Sequence, residues 1–202
     1  MSGRILRTHV ATLFPLEGDV EVVLLGEAPG PLGADQSGLP FWGDRAGRLV
    51  YRALVATGRA TVPEAAWDTW DGSHFKASGL APRLHGVALG NAFPHCPSDD
   101  GDHFRAPKDK ELFSKENLSR LRADLLRASG GRGIRVITLG KRALVLKERL
   151  GEDLPLSWFG LPHPSAQGLL QAAPEKGRGM KLSDLQSAWE KQLEGLLLHK
   201  DS

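Results

Sequence analysis

Val20 to Leu25 holds five apolar residues in six positions, with no alternation of apolar and polar side chains. A strand with one face in water alternates; a strand covered on both faces reads as a continuous apolar run. Cover on both faces is the property of a parallel sheet flanked by helices. Three further runs have the same short, bounded form: Gly86 to Phe93, Ile134 to Leu139 and the less apolar Leu156 to Leu161. Between them lie segments of helical spacing. Leu49, Val50, Ala53 and Leu54 share one face of a segment from about Arg45 to Thr57, and Gly58 stands past its end. Asn117 reads as the N-cap of a helix carrying Leu118, Leu121, Leu125 and Leu126 and ending near Gly130-Gly131. A helix from Lys141 to Leu150 is stopped by Gly151, and a last one runs through Leu185, Trp189, Leu193, Leu196 and Leu197. This alternation predicts an α/β fold: a three-layer α/β/α sandwich around a mainly parallel four-stranded sheet, as one domain over residues 1–202.

Smaller signals complete the outline. Pro63 and Glu64 in a first turn predict a short helix starting at Thr61, and Ser183 with Gln186 gives a capping-box spacing for the last helix. Pro31 to Gly43, Pro94 to Lys110 and Gln167 to Met180 read as irregular stretches. The single cysteine, Cys96, excludes an intrachain disulfide, a four-cysteine zinc site and a cysteine-held iron–sulfur cluster. A formal charge of +2 permits nucleic-acid binding without arguing for it. No apolar stretch approaches the ~20 residues that span a bilayer, and Met1 to Pro15 has no continuous apolar run. The expectation is a cytoplasmic monomer without membrane contact.

In open α/β sheets, ligands bind outside the carboxyl ends of the strands. Gly26-Glu27-Ala28-Pro29-Gly30 follows the first run and sets a carboxylate on a tight turn. Asn91, in Gly90-Asn91-Ala92-Phe93-Pro94, ends the second. His163, clamped between Pro162 and Pro164, follows the fourth. A carboxylate, an amide and an imidazole at three strand ends can share one site. Each also has a plainer reading: a solvated turn glutamate, an asparagine bonding its own loop, a packing histidine. Phe41 can equally anchor the Gly/Pro-rich loop that begins after Glu27. The Gly26–Gly30 turn lacks the Lys-Ser/Thr of a phosphate-binding P-loop. His95, Cys96, Asp99, Asp100, Asp102 and His103 are metal-capable types without a standard ligand spacing, so a polar loop is the better reading.

Taken together, these segments resemble the uracil-DNA glycosylase superfamily. Gly26-Glu27-Ala28-Pro29-Gly30, followed by Ser37-Gly38-Leu39-Pro40-Phe41 and Arg45-Ala46-Gly47, is similar to the first motif of the family 4 type. Asn91 matches the asparagine after the second strand, and His163-Pro164-Ser165 matches the second motif. Order and spacing agree from about Val20 to Ser165. Family 4 members typically hold an iron–sulfur cluster on four cysteines; with one cysteine, this chain looks like a cluster-free relative needing no cofactor. Glu27 and Ala28 also stand where the first family has glutamine and aspartate.

The resemblance implies a monofunctional glycosylase acting on uracil, or a related deaminated base, in DNA. Glu27 and His163 would be catalytic, with His163 aimed at uracil O2 and Glu27 at the sugar or the attacking water. Gly26, Ala28, Phe41 and Asn91 would hold the base, Phe41 by stacking and Asn91 by pairing with N3–H and O4. Ser165 and Leu169 would contact DNA, Leu169 as a wedge in the gap left by the flipped nucleotide. Two rivals belong to other classes. One is a binding module that holds a damaged base without cleaving it. The other is a small α/β hydrolase or nucleotide-metabolising enzyme, one version of which is weakened by the absence of Gly-x-Ser-x-Gly.

Overall fold

A computed structural model describes residues 4–150 and 154–199. The strands are β1 (Val22–Gly26), β2 (Ala60–Thr61), β3 (Arg83–Leu84), β4 (Val87–Asn91), β5 (Ile134–Leu139) and β6 (Leu156–Leu161). The helices are α1 (Ala34–Ser37), α2 (Arg45–Ala56), α3 (Ala65–Asp68), α4 (Gly72–Ser78), α5 (Asp109–Leu112), α6 (Lys115–Ser129), α7 (Lys141–Leu144), α8 (Leu146–Leu150), α9 (Ala166–Ala172) and α10 (Leu182–Leu198). β4, β1, β5 and β6 pair in that order, all parallel, while β2 and β3 form a separate antiparallel ribbon.

The unalternating runs bury both faces, as a parallel sheet requires. In β1, Val22 and Leu24 pack with α2, α4 and α10 through Leu54, Phe75, Trp189 and Leu193. Val23 and Leu25 point the other way, into Leu121 and Leu125 of α6 and Leu146 of α8. β5 divides likewise, Ile137 and Leu139 to the first layer and Ile134 and Val136 to the second. The three-layer α/β sandwich expected from sequence is the fold. β6 is the edge strand on one side and is only half-buried, which explains its weaker apolar signal.

On the other side the edge of β4 is covered. Leu13 exchanges two backbone hydrogen bonds with Leu89, at 2.8 and 2.9 Å. Such cover removes the unpaired strand edge that invites aggregation. The buried Asp35 carboxylate secures this segment by accepting from Leu6 N at 2.6 Å and Thr8 N at 2.8 Å.

Several local expectations are corrected. The helix expected from Thr61 is the ribbon strand β2 followed by α3, because Ala60 and Thr61 pair with Leu84 and Arg83. Pro31 to Gly43 contains the short helix α1, and Gln167 to Met180 contains most of α9 and a 3-10 turn at Pro174–Gly177. α6 is capped by Ser114, whose side chain accepts from Asn117 N; Asn117 itself lies inside the helix. α10 starts after Lys181 without a side-chain cap, and the Ser183 hydroxyl donates to Asp184 Oδ1. The segment from Lys141 to Leu150 is two consecutive short helices; Gly151, read as its stop, lies outside the described residues.

Candidate active site

Parallel pairing brings four carboxyl-terminal strand ends to one edge of the sheet. Gly26 is the register partner of Asn91, and the pairing continues into the loops: Ala92 N donates to Gly26 O at 2.8 Å and Phe93 N to Glu27 O at 2.9 Å. Glu27 and Asn91 are therefore fixed side by side by backbone. Asn91 is 2% exposed, and neither Nδ2 nor Oδ1 has a hydrogen-bond partner. An unmade hydrogen bond at a buried amide costs ~1–3 kcal/mol, so such a group is a stored demand for a ligand or ordered water.

Phe41 completes this corner. A Cβ built on Gly26 would lie 2.8 Å from Asn91 Oδ1 and 2.8 Å from Phe41 Cε1. Glycine at 26 is what allows the ring and the amide to converge there. Phe41 reaches this position with a left-handed backbone, φ 58°, which costs a non-glycine residue ~1–3 kcal/mol and persists only where neighbours enforce it. They do. Trp42 is buried and stacked on Phe75 at 4.3 Å, its Nε1 donating to Leu80 O, and Tyr51 OH donates to Pro40 O at 3.1 Å. Gly47 of α2 lies so close that a Cβ there would sit 1.7 Å from Phe41 O. Phe41 is thus both the loop anchor of the plainer reading and a ring presented at the strand ends.

Glu27 Oε1 lies 2.8 Å from Arg142 Nε, an ion pair at contact distance. Burial pushes the Glu27 carboxyl above the ordinary carboxylate range, and the Arg142 charge pulls it partly back. Arg142 also donates to Pro107 O at 2.7 Å and Asp109 Oδ1 at 3.0 Å, tying Glu27 to the long Pro94–Lys110 loop.

His163 sits two residues past β6, and a Cβ built on Gly140, just past β5, would be 3.7 Å from its Cβ. Ser165 N–H donates to His163 Nδ1 at 3.2 Å, and burial pulls the imidazole below its ordinary range. A neutral ring accepting at Nδ1 carries its proton on Nε2. From behind, Gly168 lies so close that a Cβ there would be 2.4 Å from His163 O, and Trp189 Nε1 donates to Pro162 O at 2.9 Å. Ser165 holds the ring itself, and the other contacts hold the backbone that carries it.

The expected DNA contacts fare differently. Leu169 is 4% exposed and packs in the core with Trp189, so the wedge assigned to it is withdrawn: a side chain serving the core is not presented to a duplex. Ser165 accepts from Gly168 N at 3.2 Å with its hydroxyl, capping α9, and its own N–H orients His163. Ala28 is half-buried beside Glu27. In the polar loop, Asp100 accepts from the backbones of Asp102 and His103 and bonds the His103 ring, so its carboxylate shapes a turn. Among the described residues no three His, Cys, Asp or Glu side chains are arranged to hold a metal.

Three supporting roles, those of Asn117, Arg120 and Arg142, are not evident from the sequence. Asn117 Nδ2 donates to Ala92 O and Leu112 O, both at 2.8 Å, and Arg120 Nη2 donates to Asn91 O at 3.1 Å and Ala92 O at 2.9 Å. These α6 side chains fix the backbone that aims Asn91. Arg142 stands just past β5, so it shares the sheet edge with Glu27, Asn91 and His163.

A family model described as the uracil DNA glycosylase superfamily matches residues 15–191. The chain belongs to the uracil DNA glycosylase superfamily. The match spans all four strands of the sheet and the turns at their ends. No curated protein matches the chain. Within this superfamily, the four-cysteine iron–sulfur cluster of the family 4 type does not fit the chain. Cys96 is its one cysteine, and that side chain is buried, with burial pushing the thiol up to about 12. Superfamily membership gives a glycosylase-like function and a DNA substrate at family level. No helix among the described residues is long and apolar enough to cross a membrane.

Proposed function

We propose that the protein is a monofunctional DNA glycosylase that excises uracil, or a closely related deaminated base, and leaves an abasic site. The observation that carries this reading is the buried, unpartnered Asn91 amide facing the same spot as the Phe41 ring. A pyrimidine swung out of the helix satisfies both. It stacks on Phe41, donates its N3–H to Oδ1 and accepts Nδ2–H at O4. Cytosine offers the reverse pattern, so its rejection requires the Asn91 amide to be held against flipping.

Cleavage breaks the bond from C1′ of the sugar to N1 of the base. The electron pair leaves with the base, spreading onto O2, and positive charge develops on the sugar. His163 supports the anion by donating from Nε2, a neutral donor already oriented by Ser165. Glu27, acting as its carboxylate beside the Arg142 guanidinium, faces the positive charge and orients the water whose oxygen bonds to C1′. That water loses one proton to the carboxylate or to solvent. Extruding the base costs a few kcal/mol, offset by phosphate contacts of the surrounding loops.

The test is an oligonucleotide with one uracil, incubated with the protein and then treated with alkali. Strand cleavage only after alkali supports the proposal. Cleavage before alkali points to a lyase, and binding without any cleavage to a damaged-base sensor.

A further inference from the structure

A second feature lies away from the strand ends. A groove of about 600 Å³ runs between α2, α3 and α10, lined by Arg45, Arg48, Leu49, Arg52, Trp67 and Gln186. The arginines are three and four residues apart, so they share one helix face and span about 10 Å at 1.5 Å per residue.

Two of the three are already held in place. Arg48 donates from Nη2 to Trp67 O at 3.2 Å, and its guanidinium lies 5.9 Å from the centroid of the Trp67 ring, which is itself stacked on Trp70. Arg52 Nε lies 3.1 Å from Glu190 Oε1, a buried carboxylate of α10. Arg45 is exposed, and neither it nor Arg48 pairs with a carboxylate among the described residues. The groove's lining carries three guanidinium groups and no carboxylate, so its surface presents positive charge. Pre-ordered arginines lose less freedom on binding, and their flat forks match phosphate oxygens.

We infer that this groove binds the sugar–phosphate backbone of DNA beside the flipped nucleotide. Its position favours that ligand over an acidic peptide. Arg45 opens α2 directly after the capping residue Asp44, and Gly47 in the same first turn lies against Phe41 O, so the groove begins beside the loop that carries Phe41. About 10 Å of duplex axis passes roughly three phosphates of one strand. DNA as the ligand rests on the function proposed above, but the groove does not depend on which base is excised.

The experiment titrates labelled, undamaged oligonucleotides, single- and double-stranded, between 50 and 200 mM salt with wild type and with Arg45→Gln/Arg48→Gln. Both substituted side chains are exposed, and a thermal melt checks the fold. Each phosphate contact contributes about 0.7–0.9 to the slope of log affinity against log salt. The double variant should lose roughly 1.5 of that slope and bind at least about tenfold more weakly at 50 mM salt. Adding Arg52→Gln with Glu190→Gln should lower the slope further. An unchanged slope, or no oligonucleotide binding by wild type, overturns the groove. So does inorganic phosphate or polyglutamate binding that depends on these arginines while oligonucleotide binding does not. Loss of slope in a protein that releases no base retains the groove and overturns only the glycosylase reading.

Discussion

Asn91 is the residue whose surroundings make least sense without a ligand. Its amide is buried and unbonded, a cost to the folded state that an apolar side chain of similar size avoids. Asn91→Leu is therefore expected to keep or raise the melting temperature while lowering uracil excision by about 100-fold or more, the worth of two hydrogen bonds to the base. Parallel melting and single-turnover assays check both halves. Glu27 carries a similar tension. Its folded-state pKa lies above the ordinary value, so its favourable contribution is complete in acid and is lost as pH rises through the shifted pKa. Glu27→Gln should then melt no lower than wild type at pH 7, and the difference should shrink toward pH 4. Its turnover should fall. Removing the Nε2 donor with His163→Ala should slow excision by about 100- to 1,000-fold, with a much smaller change in DNA affinity. Glu27, Asn91 and His163 were legible because each follows an apolar run. Arg142 follows one too, Ile134 to Leu139, but its pairing with Glu27 joins two loops distant in sequence, which spacing does not reveal.

Elements matter here as holders of those residues. The loop bearing Phe41 is pressed onto α2 at Gly47, where a methyl group would overlap Phe41 O. Gly47→Ala must push the loop away or strain the helix. A loss of stability of about 3 kcal/mol, with weakened base binding, is expected and is measurable by denaturant melts and KM. The four sheet strands and the helices α2, α6 and α10 were readable in type and order from apolar spacing, since Val22 to Leu25 and Ile134 to Leu139 alternate between two helical layers. Boundaries were less readable. Asn117 has the chemistry of a cap, yet Ser114 takes that role, which frees the Asn117 amide to bond Ala92 O and Leu112 O. Leu169 read as part of an irregular stretch, but α9 turns it into the core. Both outcomes depend on tertiary partners far away in sequence.

At the scale of the molecule, burial moves the two proposed catalytic groups in opposite senses, Glu27 upward and His163 downward. The working state needs both deprotonated. Activity should accordingly be flat through neutral pH and fall on a single acid limb, and Arg142→Gln should move that limb to higher pH by about one unit or more, because an opposite charge beside Glu27 is gone. The parallel sheet makes this arrangement by placing four strand ends on one edge. The central claim is that this edge closes around an extruded uracil and releases it. It is tested most directly by mass-spectrometric detection of the free base from a uracil-containing oligonucleotide, with wild type and Asn91→Leu side by side. Free uracil matched by abasic sites for wild type, with release by the variant reduced at least about 100-fold, is the expected result. No free base from wild type, or equal release by the variant, would contradict it.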